Sequence, residues 1–183
     1  LEEMGFPNTR EMPILLDYDS YAEPACPVVS KMFPQKDVHT FLYVGRVTPN
    51  KCQHDLIKFY GLYKRFVNPK CRLILVGKYS GFEDYLWECQ KLVNRLRLGD
   101  VIFTGRVNHD ELMAYYKLAD LFVSMSEHEG FGVPLVESMI HRLPVLAFSA
   151  AAVPFTMGGA GILFESKVKL PELAELAGLM ISD

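Results

Sequence analysis

Two acids and two cations stand out by type and spacing. Glu129 and Glu137 have seven residues between them, and Gly130-Phe131-Gly132 directly follows the first. An apolar run, Leu121-Phe-Val-Ser124, leads into this stretch, and Val145-Leu-Ala-Phe148 follows it, so the order reads strand, loop, helix, strand. Small residues at a helix start leave backbone N–H groups bare, and the helix dipole adds partial positive charge there. That suits an anionic or hydroxyl-rich ligand. Pro134 fits the first turn, where its missing N–H costs nothing. Glu137 then falls about one turn into the helix, with Leu135, Val136, Met139 and Ile140 as the expected buried positions. If both acids face the crevice at the strand ends, they grip one ligand from two sides. Arg46 and Lys51 lie in a polar stretch, Gly45-Arg-Val-Thr-Pro-Asn-Lys51, after another apolar run. A diphosphate carries spread negative charge, which Arg meets as a planar fork and Lys as a point charge. The plain alternative makes all four residues solvated surface charges, since exposed acids are the norm. Gly-Phe-Gly at a strand-to-helix crossover argues against it.

The elements that must position these residues alternate along the chain. His39–Val44, Cys71–Val76, Val101–Thr104, Leu121–Ser124, Val145–Phe148 and Gly161–Phe164 read as short apolar strands. Amphipathic helical patterns separate them: about 51–66, 82–98 with Gly99 as its stop, and 108–118 with Asn108 and Glu111 as a capping-box pair. A last helix spans about 172–181. Apolar strands alternating with helices imply an α/β fold with a doubly wound parallel sheet covered on both faces. Ligands of such sheets bind at the carboxyl ends of the strands. The functional loops are therefore 45–51, 77–81, 105–109, 124–132 and 149–158, and the chemically suggestive residues fall in or beside them. Residues 1–37 hold five of the 11 prolines and read as an extended linker with one short strand, Met12–Leu16, before a domain over 38–183.

Composition excludes several classes. At 183 residues the chain supports one domain with a sizeable core. A net charge of −3 with no basic run argues against nucleic acid as a partner. The four cysteines are scattered and read as reduced, packed thiols of a cytoplasmic protein; neither they nor the five histidines show metal-ligand spacing. No apolar run reaches the length of a membrane span. Glycine-rich dinucleotide and phosphate-loop patterns are missing.

Glu129-x7-Glu137 with Glu-Gly-Phe-Gly inside it, preceded by Gly45-Arg46 and Lys51 in the matching order, resembles the signature of the group 1, family 4 type retaining glycosyltransferases. The resemblance covers about 38–164. It implies the Rossmann-like C-terminal half of a GT-B enzyme, two such domains facing a cleft, with the linker as the crossover from the N-terminal domain. It further implies that Gly45, Arg46 and Lys51 hold the pyrophosphate of a nucleotide-diphosphate sugar. The Val107 backbone would meet the base, and Glu137 the ribose hydroxyls. The backbone of Gly130, Phe131, Gly132 and Val133 would meet the sugar or phosphate, with Glu129 near the sugar. The implied chemistry is same-face transfer of a hexosyl group to an acceptor hydroxyl. Arg46, Lys51 and Glu129 serve it, with no metal and no cofactor beyond the donor.

The pattern departs from the family in two places. Ala151-Ala-Val-Pro-Phe155 stands where Gly-Gly-apolar-Pro-Glu is common, which alters a loop near the diphosphate. His141-Arg142 replaces a small residue before Leu143-Pro-Val145. The competing assignments are a sugar-nucleotide epimerase or phosphorylase-like enzyme of the same fold, and a non-catalytic binding or scaffold module. The first residue is Leu, and the length matches half of a two-domain cleft. The expectation is therefore an acceptor-binding domain outside this chain, with acceptor glycan or lipid reached through it. The whole protein would be cytoplasmic or peripheral to a membrane, and the chain alone would bind donor weakly and transfer poorly.

Overall fold

A computed structural model describes residues 4, 5, 7, 14–22, 24–33 and 37–182. The six strands are β1 (His39–Val44), β2 (Cys71–Val76), β3 (Val101–Gly105), β4 (Leu121–Ser124), β5 (Val145–Phe148) and β6 (Ile162–Phe164). They form one sheet in the order β3-β2-β1-β4-β5-β6, and each neighbouring pair is parallel. This is a doubly wound sheet, and the order reverses between β1 and β4. Residues along β2 and β4 are buried throughout, as their unbroken apolar runs require when helices cover both faces.

The helices are α1 (Pro27–Met32), α2 (Gln53–Phe66), α3 (Glu83–Arg95), α4 (His109–Leu118), α5 (Val133–Ile140), α6 (Val153–Met157) and α7 (Leu170–Ser182). α2 packs on α3 and α7, α1 on α4, and α5 on α6. Between β1 and α2, an edge-on aromatic cluster forms where Phe41 meets Phe59, Tyr60 and Tyr63, the last at 4.6 Å between centroids. All four rings are fully buried, each worth about 1.5–3 kcal/mol of transfer free energy.

Several boundaries differ from expectation, each for a local reason. Residues 14–16 form no strand, and Met12 and Pro13 lie outside the described residues. The segment before β1 is not wholly extended: Asp19–Ala22 is a 3-10 turn, and α1 starts at Pro27, where Pro suits a first turn. Lys51 sits in its own 3-10 turn, Pro49–Lys51, ahead of α2. Helix α3 ends at Arg95, and Arg97 at φ +51° makes the left-handed exit assigned to Gly99. Residues 153–157 of the predicted 149–158 loop form α6. The Asn108–Glu111 capping box forms as the spacing predicts.

Candidate functional site

The switch point places the β1–α2 and β4–α5 loops side by side at the carboxyl ends of β1 and β4. Three contacts join them. The Lys51 ammonium lies 2.7 Å from Glu129 Oε1. It also donates to the His128 carbonyl at 2.5 Å. The Glu127 N–H donates to the Asn50 carbonyl at 2.9 Å. Lys51 and Glu129 are each 17% exposed in their side chains, so the pair is largely shielded from solvent.

The β1–α2 loop is built for close backbone approach. A Cβ on Gly77, just after β2, would stand 1.9 Å from the Gly45 carbonyl oxygen, so only glycine fits where the β2–α3 loop meets the β1–α2 loop. Gln53, fully buried at the start of α2, donates from Nε2 to the Arg46 carbonyl at 2.8 Å and fixes that backbone. The Arg46 side chain is exposed, and its guanidinium lies 5.3 Å from the centre of the Phe82 ring, before α3. Lys51 instead turns to the β4–α5 loop. The two cations that were expected together thus rest on different neighbours.

Gly132 caps α5 at φ +86°, the left-handed conformation that favours glycine, and a Cβ there would come within 2.8 Å of Leu135 Cδ1. No side chain caps this helix, so no side-chain acceptor competes with a ligand for the first-turn N–H of Val133. The Phe131 carbonyl takes a short hydrogen bond from the Thr156 hydroxyl, and the Glu129 carbonyl one from the Ala152 N–H at 3.3 Å. These contacts anchor the Gly130–Gly132 turn to α6. Phe155, which stands where the family pattern has Glu, is 82% exposed on α6. Val107, partly buried, lies after β3, the edge strand beyond β2.

Glu137 differs from its expected setting. It is 9% exposed, and its helix buries Leu135, Glu137 and Ser138, whereas Val136, Met139 and Ile140 are half-buried. A short α5 is covered on more than one side, so the apolar stripe does not mark its inner face. Glu137 Oε2 accepts from the Tyr116 hydroxyl at 2.6 Å and Oε1 from the Tyr21 hydroxyl at 3.1 Å. Burial and the Glu137 charge push the Tyr21 phenol up to about 12 and the Tyr116 phenol well above its ordinary value. The two acids therefore sit in different settings: Glu129 against a cation, Glu137 between two phenols.

Sequence reasoning did not find Tyr21 or Tyr116. Tyr116 reads as one more core position of α4, and Tyr21 falls in the proline-rich segment. Nothing in their spacing to Glu137 signals the contact, which only the fold creates.

One group of potential metal donors lies near the β1–α2 loop. Cys52, His54 and Asp55 bring ligand atoms within 4.8 Å of one another. The Lys167 ammonium already lies there, 3.4 Å from Asp55 Oδ2 and 2.8 Å from Glu127 Oε1, and a fixed cation opposes a second one. A cavity of about 600 Å³ bounded by His39, Tyr63 and Glu175 adjoins the start of β1, at the opposite end of the sheet from the glycine-rich loops. No described helix is long and apolar enough to cross a membrane.

The chain is 36% identical over 124 residues to O-antigen chain mannosyltransferase B of Escherichia coli, covering 67% of this chain and 32% of the relative. It is 32% identical over 120 residues to alpha-monoglucosyldiacylglycerol synthase of Streptococcus pneumoniae, covering 64% of this chain and 26% of that protein. The chain thus spans about a third or less of these relatives. Among solved structures, Anabaena HepE in complex with UDP and glucose superposes with a TM-score of 0.75 at 26% identity, over 92% of this chain and 46% of that one. The C-terminal domain of the group 1 glycosyl transferase LpcC from Francisella tularensis matches in fold, with a TM-score of 0.70 at 22% identity, over 92% of this chain and 88% of that one. The family model described as glycosyl transferases group 1 matches residues 30–183, and the chain belongs to that family.

Proposed function

We propose that this chain is the donor-binding half of a retaining hexosyltransferase that takes a nucleotide-diphosphate sugar. The observation that carries the proposal is the Lys51–Glu129 pair, which joins the two loops at the reversal of strand order. Anabaena HepE, similar in fold and 26% identical, was solved with UDP and glucose, and the ligand assigned here is of that class.

In this reading the donor diphosphate meets the Lys51 ammonium, the Arg46 guanidinium and the backbone N–H groups of the Gly130–Val133 turn. Glu129 orients Lys51, and it turns to sugar hydroxyls when the diphosphate takes the cation. Glu137 accepts from the ribose hydroxyls, and the backbone near Val107 borders the base. Transfer breaks the bond from the anomeric carbon to the diphosphate oxygen and forms a bond to the acceptor oxygen on the same face. The acceptor proton passes to the departing diphosphate. Fixed cations that stabilise this leaving charge do the main catalytic work, and no metal is needed for it. The acceptor is met through a second domain, and the whole enzyme works in the cytoplasm or at a membrane surface.

The test is calorimetric titration of the chain with UDP and GDP. Saturable binding of one of them, weakened by Lys51→Ala, supports the reading. Binding of neither contradicts it and favours a module without a donor site.

A further inference from the structure

The Glu137 carboxylate is nearly enclosed, and each of its oxygens carries one phenol donor. An ionised carboxylate offers about four acceptor positions, so two bonds leave about one position open on each oxygen. The phenols also fix its plane. Tyr116 is 1% exposed and stacks on the His141 ring at 5.2 Å, with 11° between planes. Tyr21 approaches from outside the α/β core, held edge-on against His109 and His141 at 6.1 and 6.2 Å. Its turn is pinned where His109 Nε2 meets the Ser20 carbonyl at 2.9 Å. A carboxylate with one phenol on each oxygen keeps acceptor capacity on both oxygens, which suits two adjacent hydroxyls, one to each oxygen.

We propose that Tyr21 and Tyr116 are positioning residues that set Glu137 to grip a vicinal diol, so that the site selects ribonucleotides over 2′-deoxyribonucleotides, with Tyr21 supplied from the segment before β1. This rests on the assignment of Glu137 to the ribose. Tyr116 works from the core side and Tyr21 from the solvent side. Removing either hydroxyl lets the carboxylate turn, which loosens a two-point grip more than a one-point contact.

The experiment compares dissociation constants for UDP, GDP and their 2′-deoxy counterparts in the wild-type chain, Tyr21→Phe and Tyr116→Phe, with the thermal midpoint as a check of folding. Wild type should prefer the ribonucleotide by about tenfold, the scale of one well-formed hydrogen bond. Tyr21→Phe should cut that preference to about threefold or less and leave 2′-deoxynucleotide affinity within about twofold. Tyr21 is only partly buried, so its variant serves even if Tyr116→Phe does not fold. An unchanged preference in folded Tyr21→Phe overturns the inference while leaving Glu137 on the ribose. No preference in wild type removes Glu137 from the ribose, and no binding of any nucleotide removes the donor site itself.

Discussion

The Lys51 ammonium sits 2.7 Å from the Glu129 carboxylate, and the two residues come from loops on opposite sides of the strand-order reversal. The pair does two things at once. It holds the loops in register, and in the proposed function it keeps a cation in place where the donor diphosphate captures it. Charge-assisted contacts of this kind are worth about 1.5–3 kcal/mol when both groups are shielded. Lys51→Ala should therefore weaken nucleotide diphosphate binding at least about tenfold, measured by calorimetry. Lys51→Arg should restore part of it.

Arg46 rests on Phe82, and such a cation–ring contact at an exposed site is worth about 0.5–1 kcal/mol. Phe82→Leu should loosen the guanidinium and cost about two- to fivefold in diphosphate affinity. Arg46→Ala should cost more than Phe82→Leu, and the double variant no more than Arg46→Ala. An additive loss in the double variant would show that Phe82 acts apart from Arg46.

Tyr43 is 2% exposed and its hydroxyl has no hydrogen-bond partner among the described residues, just under Gly45, where a Cβ would come within 2.6 Å of it. Burial pushes this phenol well above its ordinary value, with the Glu129 charge adding to the effect. A buried hydroxyl without a partner costs about 1–3 kcal/mol. Tyr43→Phe should raise the thermal midpoint or leave it unchanged, measured by circular dichroism. A clear fall would reveal a bridging water beneath the loop.

Acid should destabilise the fold before carboxylates titrate. Burial lowers the His141 imidazole below its ordinary value, with the Lys117 and His109 charges acting the same way, and burial also lowers His54. A histidine whose folded value is depressed contributes stability that is present above the unfolded value of about 6.5 and lost as pH falls through the folded value. The thermal midpoint should fall between about pH 7.5 and about pH 5. His141→Gln should reduce that fall, because the imidazole stacked on Tyr116 no longer has a proton to take up.

The proposed function leaves the diphosphate charge to two protein cations, Arg46 and Lys51, without a divalent ion. Adding EDTA to a nucleotide titration should leave the affinity unchanged. A loss restored by Mg²⁺ would assign the charge neutralisation to a metal instead.

The sheet was legible because its strands are apolar without interruption and alternate with amphipathic helices, and period and turn residues report that order directly. The loops bearing Arg46, Lys51 and Glu129 followed from the carboxyl-end rule for parallel sheets. Side-chain partners did not follow. Glu137 reads as a helix acid beside an apolar stripe, yet the fold buries it against Tyr116 from α4 and Tyr21 from the segment before β1. Hydropathy cannot show this, because the cost of burying a carboxylate is met by donors far away in sequence. The turns at Asp19–Ala22 and Pro27–Met32 were obscured for a similar reason. Proline suggested extended chain, while contacts with α4 hold helical turns there. Arg97, exposed, takes the left-handed region in place of Gly99 at the end of α3, where the Leu98 N–H closes the turn on the Val93 carbonyl at 3.0 Å.

The most direct measurement is calorimetric titration of the chain with UDP and GDP, with wild type beside Lys51→Ala and Glu137→Gln. The account predicts saturable binding of one nucleotide by wild type and at least about tenfold weaker binding by each variant, through the diphosphate in one and the ribose in the other. Wild-type binding that neither variant changes would place the nucleotide elsewhere and contradict the assigned site.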